Sequence, residues 1–90
     1  MKTRLAFKIK DPLGLHLRPA KDMAQIFLEN GVEALLIYET QHINAKSPIS
    51  LLTLAAPCDS EMVLEVTGDK HEVAIESFKV KFAEWMEPVE

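Results

Sequence analysis

The apolar pattern predicts an α+β fold, a four-stranded antiparallel sheet with three helices on one face, in the order β-α-β-β-α-β-α. Three observations carry this expectation. Several segments alternate apolar and polar residues with a period of two, as half-buried strands do. Others repeat their apolar residues at helical spacing. Seven such elements in ninety residues fit a single sheet covered on one side, with its other side meeting solvent.

Taken in order, Leu5, Phe7 and Ile9 alternate with Arg4, Lys8 and Lys10 and predict a first strand. Asp11-Pro12-Leu13-Gly14 breaks it as a loop. Ala20, Met23, Ala24 and Phe27 mark a helix over about 17–29, closed by Asn30-Gly31, which tolerate left-handed geometry. Val32 to Tyr38 is the second strand, Glu39-Thr40 a hairpin turn without glycine, and His42 to Ala45 the returning strand. Ser47-Pro48 predicts a short helix, with a hydroxyl cap and proline at the first helical position. Ile49, Leu51, Leu52 and Leu54 follow, and Pro57 closes it. Met62, Leu64 and Val66 alternate as the fourth strand. Asp69 with Glu72 resembles a capping box ahead of a last helix that buries Ala74, Ile75, Phe78 and Phe82, with Trp85 near its end.

Composition narrows the function. One domain over residues 1–90 is expected, with 48% hydrophobic residues and a modest core. A net charge of −4 argues against general nucleic-acid binding, which needs a basic surface. No run approaches membrane-spanning length, and no apolar signal core follows the basic start. Cys58 stands alone, so an internal disulfide is impossible and a cytoplasmic home is expected. Three scattered histidines and that cysteine give no metal-ligand spacing, and no cofactor is expected.

Gly14-Leu15-His16-Leu17-Arg18-Pro19-Ala20 carries the chemistry. An imidazole nitrogen can attack phosphorus. His16 stands directly ahead of a helix start marked by Pro19, where backbone N–H groups are unpaired and the dipole favours an anion. The N–H groups of Leu17 and Arg18 are available to phosphate oxygens, and the Arg18 guanidinium offers a fork of donors matched to them. Each charge-assisted hydrogen bond to such a group is worth roughly 1.5–3 kcal/mol. Because Arg18 precedes a proline, it is itself an alternative helix cap. The chain has no Gly-rich nucleotide loop and no acidic metal cluster, so a phosphoryl group on His16 must come from a partner. A carrier is expected rather than a free-standing enzyme.

These residues resemble the active-site pattern of the HPr family, histidine phosphocarriers of the bacterial phosphoenolpyruvate-dependent phosphotransferase system (PTS). The pattern Gly-hydrophobic-His-x-Arg-Pro-Ala is present in full at Gly14 to Ala20, and the resemblance covers nearly the whole chain. It implies the open-faced β-sandwich of that family. It also implies a relay in which His16 takes a phosphoryl group on Nδ1 from phosphorylated enzyme I, gives it to a IIA component of the sugar system, and is helped by Arg18. Partners would dock on the first and middle helices, here on Leu17, Lys21, Pro48, Ile49 and Leu52, with positive charge from Arg18, Lys21 and Lys46. Ser47 falls at the family's regulatory serine and is a candidate for an HPr kinase/phosphorylase, although capping is its first role. A cytoplasmic monomer is implied.

The chain departs from the family in three places. Pro48 follows Ser47 and Ser50 replaces a common glycine, which changes what a kinase would read. The stretch Ala55-Ala56-Pro57-Cys58-Asp59 lacks the family's glycines, so a stiffer loop is expected. Leu35, Ile37 and Val63 are expected to face outward from the open sheet, as scattered apolar residues or a weak association surface. His42 and His71 are expected to be merely exposed. The alternative function is a nitrogen-branch or regulatory HPr relative. A pure docking module would need neither His16 nor Arg18, and an acylphosphatase-like hydrolase would need a catalytic arginine loop that is missing here.

Overall fold

A computed structural model describes residues 1–89. β1 (Lys2–Ile9), β2 (Glu33–Tyr38), β3 (Gln41–Asn44), β4 (Glu61–Thr67) and β5 (Met86–Pro88) form one sheet in the order β3-β2-β4-β1-β5. Every neighbouring pair is antiparallel. The helices are α1 (Leu17–Glu29), α2 (Pro48–Thr53) and α3 (His71–Lys81). The sheet thus has one strand more than the expected four. β5 pairs with the edge of β1 at Phe7↔Pro88, Lys8↔Glu87 and Ile9↔Met86. Met-Glu-Pro is too short to show a period of two, and it closes on β1 only after the chain has travelled the length of the domain.

Alternation puts one face of each strand into the core. Phe7 and Ile9 on β1, Ala34 and Leu36 on β2, and Met62, Leu64 and Val66 on β4 are buried against the helices. From α1, Ala20, Met23, Ala24 and Phe27 close over them, and from α3, Ala74, Ile75 and Phe78. Five aromatic rings form a continuous chain through this core. Phe78 lies 5.4 Å from Phe7, 6.2 Å from Phe27 and 4.7 Å from Phe82, and Trp85 lies 5.3 Å from Phe82. These are the separations at which aromatic pairs attract beyond simple burial.

The other face of the sheet carries a narrow apolar centre inside a charged rim. Leu35 is exposed and Ile37 and Val63 are half-buried there, as the alternation requires. Around them, Glu65 pairs with Lys2 at 3.8 Å and with Arg4 at 3.3 Å.

Several predicted ends form as expected. Ser47 caps α2, its hydroxyl accepting the Ser50 N–H at 3.2 Å. Asn30 closes α1, and Gly31 takes the left-handed φ of +63° that lets the chain turn back into β2. Glu39 adopts φ +57° and so does the work of the glycine missing from the hairpin.

Two expectations for α3 fail. Lys70 is the cap residue and makes no side-chain capping bond, so the Asp69–Glu72 box does not form; Glu72 still lies in the first turn, where the dipole favours it. The helix ends at Lys81, with buried Phe82 as its cap and Trp85 close to its end as expected, in the turn before β5. His71 is not simply exposed. It is half-buried, and its Nδ1 shares a hydrogen bond with the Thr3 hydroxyl that ties α3 to β1.

The glycine-free loop carries measurable strain. Ala55 sits at φ +50° and Asp59 at φ +74°, a region that costs an ordinary L-residue roughly 1–2 kcal/mol. Ala55→Gly removes that cost but gives the unfolded chain more freedom. The expected result is stabilisation by up to about 1 kcal/mol, read as a higher urea midpoint with an unchanged m-value. A lower midpoint contradicts the assignment of strain to this residue.

Candidate functional site

The site is built where the end of β1 meets the start of α1. After Ile9, the Lys10 N–H donates to the Trp85 carbonyl at 2.7 Å, which fixes where the strand ends. Asp11 then organises a turn. Its Oδ1 accepts the Leu13 N–H at 2.8 Å and its carbonyl accepts the Gly14 N–H at 2.9 Å.

Gly14 lies at φ +67°, and a Cβ there would come within 2.3 Å of the Ala56 carbonyl oxygen and 2.9 Å of the Pro57 Cα. Only glycine fits, because backbone stands in the way. The Trp85 indole N–H donates to the Gly14 carbonyl at 3.2 Å, a buried bond, and the Leu15 N–H donates to the Ala56 carbonyl at 2.9 Å. The loop is therefore pinned from two directions just before His16.

His16 is the N-cap of α1, with extended backbone at φ −105° and ψ −172°. Its carbonyl accepts the first bond of the helix ladder, from the Ala20 N–H at 3.1 Å. Its side chain makes no capping bond, so the imidazole is left for other work. The ring is half-buried, and Nε2 stands 3.8 Å from Asp11 Oδ2.

Arg18 is the second helical residue and not the cap; Pro19, in the first turn, needs no N–H partner, so the helix tolerates it. The Leu17 and Arg18 N–H groups precede the first ladder bond, at the positive end of α1. Arg18 is exposed and has no ion-pair partner among the described residues. A cleft of about 330 Å³ opens beside the ring, lined in part by Asp11, His16, Arg18, Asp22, Lys81 and Trp85. The arrangement can hold a tetrahedral anion against an imidazole by main-chain amides and a guanidinium.

The other candidates are spread along α1 and α2. Leu17, Lys21 and Ile49 are exposed; Pro48 is half-buried and shares a groove with Lys21. Leu52 is half-buried and packs on the core. Lys46 gives less free charge than its position promised, since its ammonium donates to Glu33 at 3.1 Å. Sequence reasoning passed over Asp11, Asp22, Lys81 and Trp85. Asp11 carried a local signal, an aspartate at the head of a Pro-Leu-Gly turn; Lys81 and Trp85 join the site only through the fold.

The family model described as "PTS HPr component phosphorylation site" matches residues 4–84. The chain belongs to the HPr family. Among curated members, the phosphocarrier protein HPr of Treponema pallidum is 31% identical over 81 residues, covering 86% of this chain and 92% of its own. The HPr of Chlamydia muridarum is 34% identical over 62 residues, 69% of this chain; the match spans 60% of the length of that relative. Among solved structures, the HPr of Thermoanaerobacter tengcongensis superposes with a TM-score of 0.82 at 27% identity, covering 91% of both chains. The chain shares the HPr-like fold of that structure.

Two substitutions test the clamp ahead of His16. Gly14→Ala is expected to lower stability by at least about 1–3 kcal/mol through backbone strain, with the collision at Ala56 in addition. Trp85→Phe keeps the aromatic packing but strands a buried carbonyl, and is expected to cost about 1–3 kcal/mol. Chemical denaturation measures both; a Gly14→Ala protein as stable as the wild type contradicts the contact with Ala56.

Proposed function

We propose that this chain carries a phosphoryl group on Nδ1 of His16, accepting it from phosphorylated enzyme I and passing it to a IIA component of the sugar phosphotransferase system. The observation that carries this reading is the half-exposed imidazole at the N-cap of α1, unused by the helix, with the amides of Leu17 and Arg18 at the same helix end and an exposed Arg18 guanidinium that lines the same cleft. Membership of the HPr family supports it. The chain acts in the cytoplasm as a phosphocarrier and not as an enzyme, and needs no cofactor. No helix among the described residues is long and apolar enough to cross a membrane.

The relay needs a phosphoryl group bound firmly enough to survive between encounters and loosely enough to leave. Amides at a helix end and an exposed guanidinium meet that need, because they stabilise the charge without enclosing it. Exposed Leu17 shares one groove with Lys21 and Pro48 shares another with it; with Ile49 and Leu52 from the same short helix as Pro48, they would form a docking surface that is apolar with a cationic margin. Such a surface suits brief encounters with acidic partners. Ser47 keeps its hydroxyl on the Ser50 N–H, so its proposed modification by an HPr kinase/phosphorylase would replace a capping hydroxyl by a phosphate at the same helix end.

The test is phosphotransfer from phosphoenolpyruvate through enzyme I. Label is expected on the wild type and not on His16→Ala. Arg18→Ala is expected to accept label roughly 10- to 100-fold more slowly, the loss of one charge-assisted contact. Equal labelling of His16→Ala and wild type overturns the reading. Transfer onward to a panel of purified IIA proteins then separates the sugar branch from the nitrogen branch.

A further inference from the structure

We propose that Asp11 is a positioning residue for His16: its carboxylate keeps the ring proton on Nε2, leaves the lone pair on Nδ1, and faces the positive charge the ring gains when phosphorus is taken up. This deepens the proposed function and rests on His16 being the acceptor.

The geometry comes from two separate elements. The Asp11 carboxylate stands just past the end of β1, and the His16 ring stands at the start of α1. Between them the loop is held at Gly14 by the Trp85 indole and by backbone contact with Ala56, so the two side chains face each other across a fixed frame. The carboxylate is itself anchored. Oδ1 is occupied by the Leu13 N–H at 2.8 Å, which leaves Oδ2 turned to Nε2 at 3.8 Å. That separation is longer than a hydrogen bond, so the carboxylate acts on Nε2 through its charge. Asp22 and Lys81 line the same cleft, but among the described residues Asp11 is the one carboxylate within 4 Å of the ring nitrogens.

An ionised carboxylate only accepts hydrogen bonds, so the ring nitrogen facing it is the one that carries hydrogen. The other nitrogen then presents its lone pair. In the transfer, that lone pair forms the Nδ1–P bond while the bond from phosphorus to the donor breaks, its electron pair leaving with the donor. The proton stays on Nε2 throughout. The ring therefore gains one positive charge, and Asp11 faces the nitrogen that shares it. A carboxylate behind a histidine fixes tautomer and orientation in this way wherever the two are paired.

Asp11→Asn separates this role from a structural one. Its amide oxygen can still accept the Leu13 N–H, so the turn is kept, but its NH₂ group then faces Nε2. A donor there favours hydrogen on Nδ1 and blocks the nucleophile. Asp11→Ala removes the interaction without reversing it. In ¹⁵N-histidine-labelled full-length protein, above the pH at which the ring titrates, NMR correlation of the His16 nitrogens is expected to show hydrogen on Nε2 in the wild type. The population is expected to shift toward Nδ1–H in Asp11→Asn and to fall between the two in Asp11→Ala. Phosphoryl acceptance at saturating phosphorylated enzyme I is expected to fall about tenfold in Asp11→Ala and further in Asp11→Asn. Identical ring-nitrogen shifts in all three proteins overturn the proposal, as does unchanged acceptance by Asp11→Asn. The NMR arm needs no phosphoryl donor; a wild type that takes no label sinks the acceptor reading instead and leaves the role of Asp11 to the ring shifts.

Discussion

The close approach of Gly14 to the Ala56 carbonyl is the constraint on which the site depends. Without a side chain at this point, the 11–16 loop can lie flat against the 55–57 loop. The Leu15 amide and the Trp85 indole then fasten it on both sides. The direction in which α1 starts follows, and with it the position of His16. A loop free to swing would present the same imidazole, guanidinium and amides, but not together. Preorganisation of this kind matters most where the gain is electrostatic, because the donors need no rearrangement when charge arrives.

Trp85 links this local arrangement to the stability of the whole domain. Its ring belongs to the aromatic chain that runs through Phe82, Phe78, Phe7 and Phe27, and its N–H reaches out of that chain to the functional loop. The core and the site are therefore not independent. A domain of this size has only about 5–15 kcal/mol of net stability, so a buried bond worth about 1 kcal/mol is a sizeable part of it. The strained residues Ala55 and Asp59 lie in the loop that backs the site, close to the contact with Gly14. Strain there persists because the surrounding packing over-determines the backbone.

Charge around His16 is arranged in opposition. The amide end of α1 and the Arg18 guanidinium favour an anion beside the ring, and the Asp11 carboxylate, 3.8 Å from Nε2, favours a cation at that nitrogen. A phosphorylated imidazole that keeps its second proton has this polarity, an anionic group on one nitrogen and positive charge toward the other. The half-exposed setting keeps both effects modest, since water screens them.

Much of this was legible along the chain. Period-two alternation placed β1, β2 and β4, helical spacing placed α1, and Ser47-Pro48 marked the start of α2, because each signal is a local consequence of backbone geometry. The candidate site was legible for the same reason: His16, Leu17, Arg18 and Pro19 are consecutive, and a helix start brings consecutive residues to one point. The remainder came from contacts between distant segments. β5 exists because three residues near the end of the chain find the free edge of β1, and Trp85 reaches Gly14 across the fold. The Asp69–Glu72 pattern read as a cap, yet the helix began at a different residue, since packing chooses among nearly equal starts. Local order in the chain thus settled which groups are present and which elements carry them. Folding alone settled their mutual distances, because no residue encodes how near a remote one will come.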